Sequence, residues 1–279
     1  MPDRQLRSMP GRRRRRFALG AAALAAVALL AGCTAGDDPA TATPMPTAPG
    51  APTEEPEGEL TVFAAASLTT AFDALAEEFE ARHPAVDVRP IRYDGSGTLA
   101  TQLVEGAPAD VFAAADEASM ARVVEAGLAS APALFASNTL VIVVPRDNPG
   151  GVKTIEDLGW REVTVVLCAP EVPCGAASER LLADNLVEVE PVSLEQSVTG
   201  VLTKVAAGEA DAGLVYATDV RGRDDVRPVR ASGAERVVNR YAIAPLADAA
   251  NPDAAAAFVA FVTSDEGQAV LADRGFGAP

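Results

Sequence analysis

Histidine is almost missing from this chain: His83, in the stretch EARHPAV, is the single one among 279 residues. Only three cysteines accompany it, Cys33, Cys168 and Cys174. Metal catalysis therefore has almost no material, because a zinc site wants three or four Cys, His or carboxylate ligands at suitable spacing. Nucleophilic chemistry lacks the same residue. A serine needs a base beside it, His83 falls at a predicted helix end, and no G-x-S-x-G elbow is present. Positive charge is also scarce. The formal net charge is −16, and residues 1–32 hold seven arginines and one aspartate, so the rest of the chain stands at −22. Nucleic-acid binding needs a basic footprint that such a chain lacks. Gly95, Ser96 and Gly97 form a glycine-rich turn, but no Lys-Ser/Thr follows, which excludes a nucleotide P-loop.

A membrane-spanning run is missing as well. The first 32 residues combine a basic stretch with an apolar run from Phe17 to Leu30, shorter than the ~20 residues a span needs. The run ends in Leu30-Ala31-Gly32-Cys33, which matches a lipobox. Residues 1–32 are expected to be a lipoprotein signal peptide and Cys33 the lipidated mature N-terminus, anchoring the protein outside the cytoplasm at the cell membrane. RRRFAL also resembles a twin-arginine signal, and the export route stays open. Residues 33–58 are rich in Pro, Thr, Ala and Gly and poor in large apolar side chains, so they are expected to form a disordered tether. In an oxidising compartment Cys168 and Cys174, six apart in CAPEVPCG, are expected to pair as a short-loop disulfide.

From Glu59 onward, strand and helix patterns alternate. Strands are predicted at 60–65, 86–92 and 110–114 and helices at 68–82, 97–105 and 117–126. SNTLVIVVP, TVVLC, 212–216 and RVVNRYAIAPL read as further strands, with helices at 176–185, 196–207, 252–263 and 265–273. This rhythm predicts an α/β fold with mostly parallel sheets covered by helices. SNTLVIVVP and VVNRYAIAP are each able to cross between two lobes. The expected division is 59–139 plus 238–279 as lobe 1 and 140–237 as lobe 2, joined by a two-segment hinge. A single large sheet is the other reading of the same pattern.

Four predicted helix starts look alike. Ser67 is placed to N-cap the first helix; Ser96, the segment PCGAASE and the segment SLEQSVTG open three others. If the strands are parallel, these N-termini face one crevice and offer free N–H donors to an anion. Tyr216 ends a strand at the same edge, where its hydroxyl is a neutral donor, although such a tyrosine taken alone is more often a half-buried packing residue. Asp219, three residues on, is placed to fix nearby backbone or to sit in solvent.

In this order, TVFAAASL, GSGTLATQLVEGAPADVFAAAD, SNTLVIVVP, VPCGAASE, SVTGVL, GLVYATDV and GQAVLADRGF resemble the periplasmic molybdate-binding proteins of ABC importers, over residues 59–279. The resemblance implies the type II periplasmic binding fold, two α/β lobes closing on an oxyanion held without a positively charged side chain. It implies molybdate or tungstate as ligand, no cofactor and no enzymatic activity. A permease and its ATPase are the implied partners, and the receptor is expected to be a monomer. It further implies that Ser67 and Ser96 bind through hydroxyl and N–H, Cys174 and Val198 through backbone N–H, and Tyr216 through its hydroxyl. In better-known members the position of Cys174 is typically alanine, and the cysteine pair has no counterpart.

A donor-only site suits molybdate, which is fully deprotonated near neutral pH, whereas monohydrogen phosphate would leave its own O–H unpaired. Sulfate or thiosulfate is the alternative ligand. Ferric iron would want clustered tyrosines and carboxylates, and Tyr93, Tyr216 and Tyr241 are scattered along the sequence. A secreted hydrolase or a purely structural lipoprotein leaves the run of motifs unexplained.

Overall fold

The computed structural model describes residues 55–279. Residues 1–54, which hold the expected signal peptide, Cys33 and most of the expected tether, lie outside the described residues.

The strands are β1 (Gly58–Leu60), β2 (Val62–Ala65), β3 (Val86–Val88), β4 (Arg92–Asp94), β5 (Val111–Ala114), β6 (Ala133–Pro145), β7 (Val165–Cys168), β8 (Ser193–Glu195), β9 (Ala212–Tyr216), β10 (Val226–Val229) and β11 (Val238–Pro245). The α-helices are α1 (Thr69–Arg82), α2 (Ser96–Val104), α3 (Glu117–Glu125), α4 (Pro173–Asp184), α5 (Val198–Ala206), α6 (Pro252–Thr263) and α7 (Asp265–Asp273). The strands join in the order β4-β2-β5-β11-β6-β9-β7-β8, with β10 on the far end of β6, while β1 and β3 form a separate parallel pair. β4, β2 and β5 run parallel, as do β9, β7 and β8. Strands β6 and β11 run antiparallel to each other and to their outer neighbours.

The fold has the two-lobe form of the periplasmic binding proteins. The 13-residue β6 pairs with β11 as far as Thr139 and with β9 from Leu140 onward. One hydrophobic core draws only on residues between Leu140 and Val237. The other two clusters draw on residues from Leu60 to Ala136 and from Tyr241 to Phe276. Strands buried on both faces explain the continuous apolar runs: VFAA in β2, VFAA in β5 and VVLC in β7 are buried throughout.

Two predicted strands are interrupted. Thr61 separates β1 from β2 because its N–H donates to Asp110 Oδ2 at 2.7 Å instead of joining a ladder. The predicted strand 86–92 divides around Pro90, which has no N–H to give, and the chain leaves β1 to join β2. α4 begins at Pro173, three residues before the expected start, because proline suits the first turn of a helix, where its missing N–H costs nothing. α5 begins at Val198 behind a Ser197 cap rather than at residue 196. Strands β8 and β10 were not anticipated; both are short and half exposed, so neither carries an apolar run.

Candidate functional site

Between the lobes lies a small cleft, lined by residues 65–67, 95–96, 115, 172–174, 196–198 and Tyr216. All five residues singled out by resemblance, Ser67, Ser96, Cys174, Val198 and Tyr216, stand on this one wall, and no lining residue carries a charge. Each lobe supplies part of it through the carboxyl ends of its parallel strands, where α/β folds leave helix N-termini free.

Ser67 does not cap α1. It sits inside a 3-10 turn, Ala66–Leu68, inserted before the helix, and neither the turn nor α1 has a side-chain cap. Its Oγ instead lies 3.0 Å from Tyr241 Oη, so tertiary contact has claimed the hydroxyl that local capping would have used. Ser96 is the first residue of α2, behind a Gly95 cap position, and its Oγ accepts the Ala115 N–H at 2.9 Å. Cys174 is the second residue of α4 and Val198 the first of α5. Their backbone N–H groups precede the intrahelical ladder and are available to a ligand. Among the four helix starts, Ser197 is the capping side chain, accepting from Gly200 N at 3.3 Å.

Tyr216 is 1% exposed, and its Oη accepts a hydrogen bond from Asn239 Nδ2 at 2.9 Å. Burial pushes its phenol pKa well above the ordinary value, and it does the same to Tyr241. Both therefore stay neutral hydroxyls. The rings of Tyr216 and Tyr241 meet edge to face at 6.0 Å, so two tyrosines that are scattered in sequence converge in space. As neutral phenols, both can donate a hydrogen bond. Asp219 accepts the Tyr216 N–H at 2.8 Å, which is the backbone-fixing role open to it from the sequence. His83 follows α1 as its C-cap, its ring tilted against Phe79 at 4.6 Å between centroids, and it is no part of the cleft lining. Among the described residues no group of three or more His, Cys, Asp or Glu is placed to hold a metal ion.

Cys168 and Cys174 are disulfide-bonded. The bridge ties the end of β7 to the second residue of α4 and closes the loop that forms one cleft wall. Three polar residues behind the cleft lining are not evident as site residues from the sequence: Tyr241, Asn138 and Asn239, all 5% exposed or less. For the two asparagines a signal was present, since one interrupts each of the apolar stretches SNTLVIVVP and VVNRYAIAP.

The sequence profile of a family described as bacterial extracellular solute-binding protein matches residues 60–277. A molybdate-binding protein ModA of Mycobacterium tuberculosis strain H37Rv is 46% identical over 233 residues, covering 83% of this chain and 88% of its own length. The solved periplasmic molybdate-binding protein of Azotobacter vinelandii superposes with a TM-score of 0.67 at 22% identity, covering 79% of this chain and 99% of its own. The sulfate-binding protein SubI of M. tuberculosis H37Rv superposes with a TM-score of 0.69, also at 22% identity, over 79% of this chain and 86% of its own. At that identity the two structures speak for the fold alone.

Proposed function

The chain belongs to the bacterial extracellular solute-binding proteins, and from that premise we propose that it is a lipid-anchored receptor capturing molybdate, and tungstate with it, for an ABC importer. The family role is binding, with no catalytic step. The observation that carries the ligand reading is the cleft itself: hydroxyls and helix N-termini converge there without a charged side chain. A fully deprotonated tetrahedral oxyanion only accepts hydrogen bonds, and this wall mainly donates them. The Ser67, Ser96 and Tyr216 hydroxyls and the Cys174 and Val198 N–H groups are the proposed ligand donors. Such local dipoles outweigh the diffuse, salt-screened field of the net charge of −22 carried from Cys33 onward.

Residues 59–139 with 238–279 form the proposed first lobe and 140–237 the second. Bending where β6 and β11 cross between them closes the cleft. The closed monomer then presents its anion to the permease and its ATPase. Cys33 carries the proposed lipid, and residues 34–58 tether the lobes to the membrane.

A thermal-shift series on residues 33–279 tests the ligand. Molybdate, tungstate, sulfate, phosphate and ferric citrate are added at equal concentration, and a tight native-state ligand raises Tm by mass action. A rise with molybdate and tungstate alone is expected. A rise with sulfate instead would reassign the cleft to a smaller anion, and no rise with any of them would overturn the oxyanion reading.

A further inference from the structure

Asn138 on β6 and Asn239 on β11 are cross-strand partners, on the two strands shared by both halves of the fold. They are 5% and 4% exposed, in strands that are otherwise largely apolar, and neither lines the cleft. A buried amide is costly unless its groups are paired, so its partners are informative.

Asn239 Nδ2 donates to Tyr216 Oη at 2.9 Å and to the Ala115 carbonyl at 3.3 Å. The reverse orientation of the amide would set Oδ1 against that carbonyl, acceptor against acceptor, so the Ala115 oxygen decides which way the amide faces. Tyr216 Oη therefore accepts from residue 239, and its own proton has to leave in another direction. Asn239 Oδ1 is left buried with no partner, which a residue present only to fill the strand would avoid.

Asn138 repeats the pattern on the other side. Its Nδ2 donates to Thr218 Oγ1 at 2.8 Å and, at a long 3.5 Å, to Tyr241 Oη. Ser67 Oγ lies 3.0 Å from Tyr241 Oη and either hydroxyl can donate; a Tyr241 that accepts from Asn138 is placed to donate to Ser67, the arrangement that frees the Ser67 proton. Ser96 is polarised in the same sense by the Ala115 N–H, and the Ala115 carbonyl is the one that Asn239 holds.

We propose that Asn239, and through Tyr241 also Asn138, are positioning residues that turn the Tyr216 and Ser67 protons into the cleft and so select fully deprotonated oxyanions over protonated ones such as hydrogen phosphate. This rests on the cleft holding an oxyanion. It adds a cause for the donor-only wall: the lone pairs of the hydroxyls are occupied from behind by amide and backbone donors.

Asn239→Asp keeps the side-chain shape but offers an acceptor, drawing the Tyr216 proton back and turning a lone pair to the cleft. Titration calorimetry with molybdate is expected to show binding weakened at least tenfold, with hydrogen phosphate unchanged or tightened; a merely structural lesion would weaken both. Asn239→Ala is measured alone and with Tyr216→Phe. In the Tyr216→Phe background it is expected to change molybdate affinity less than twofold, because Asn239 acts through that hydroxyl. The matching pair on the other side is Asn138→Ala with and without Ser67→Ala. Equal losses with and without the hydroxyl, or wild-type affinity in Asn239→Asp, overturn the proposal. Neutron diffraction on anion-free wild-type crystals reads the proton directly. A deuterium on Tyr216 Oη directed into the cleft supports the proposal, and one directed at Asn239 refutes it even if the variants fail to fold. If wild-type protein ignores molybdate and the other oxyanions, the ligand reading fails while the neutron result still decides the wiring.

Discussion

The α-carbon of Gly95 faces the carbonyl of Gln196 across the cleft so closely that a β-carbon there would lie 2.0 Å from the carbonyl oxygen. Gly95 opens α2 and Gln196 precedes α5, so the contact joins the two lobes backbone to backbone. The Gly95 dihedrals, φ −58° and ψ 135°, are open to any residue, so space alone demands glycine here. Gly95→Ala should hold the lobes apart and weaken molybdate binding more than tenfold with little change in the Tm of the free protein. Small-angle scattering with saturating molybdate checks it, since the variant should remain wider than wild type.

Ser67→Ala and Ser96→Ala should each weaken molybdate binding by about 1.5 to 3 kcal/mol, the range for a hydrogen bond to a charged group. Both should also cost stability. Ser96→Ala strips the buried Ala115 N–H of its acceptor, a loss of about 1 to 3 kcal/mol. Ser67→Ala removes the partner of the buried Tyr241 hydroxyl, whose remaining contact, Asn138 Nδ2, is a donor and cannot accept its proton. Calorimetric titration and thermal melts of both variants separate binding from stability, and a wild-type Tm in Ser96→Ala would contradict the Ser96–Ala115 pairing.

Asp219 keeps a partly exposed outline, yet its carboxyl is withdrawn from water enough to push its pKa up to about 7, against the lowering influence of the Tyr216 N–H. Between the unfolded value near 3.8 and about 7 the folded state holds the extra proton. This residue's contribution to stability is therefore fully present below the unfolded value, declines as pH rises from about 4 to about 7, and is lost above that. Asp219→Asn should remove that decline and raise Tm at pH 8 relative to wild type, with little difference at pH 4. Melts across pH 4–9 test it, and parallel profiles would exclude the ionisation.

Reducing the Cys168–Cys174 bridge, or replacing both cysteines by serine, should destabilise the protein by roughly 2 kcal/mol, the chain-entropy cost for so short a loop. For a domain of this size that is a fall of about 4 to 8 °C in Tm. Because Cys174 lines the cleft, molybdate affinity should fall too. Non-reducing peptide mass spectrometry establishes the bridge, and two free thiols would remove its basis.

Cys33→Ser should move the protein from the membrane fraction to the soluble fraction without altering its anion affinity. Continued membrane association in that variant would exclude the lipobox reading.

Elements were most legible where local pattern and tertiary role agree. α6 and α7 span the residues expected of them, with Asn251 and Ser264 as side-chain caps. Pro90 and Thr61 show the opposite case. Each interrupts an apolar run, but whether it ends a strand depends on Asp110 and on the neighbouring strand, which are distant in sequence. Ser67 illustrates the same limit at the site. Its neighbours favour a cap, while Tyr241, 174 residues away, takes its hydroxyl.

By itself the sequence determined the α/β alternation, the poverty in histidine and positive charge, and the small residues at the helix starts, because these follow from side-chain chemistry and local periodicity. Tertiary structure alone decided that Tyr216 meets Tyr241, that Asn138 faces Asn239, and that Gly95 abuts Gln196. Hydroxyl direction depends on which donors approach from behind, and lobe closure on which backbones touch. Both are set by strand pairing between residues far apart in the chain.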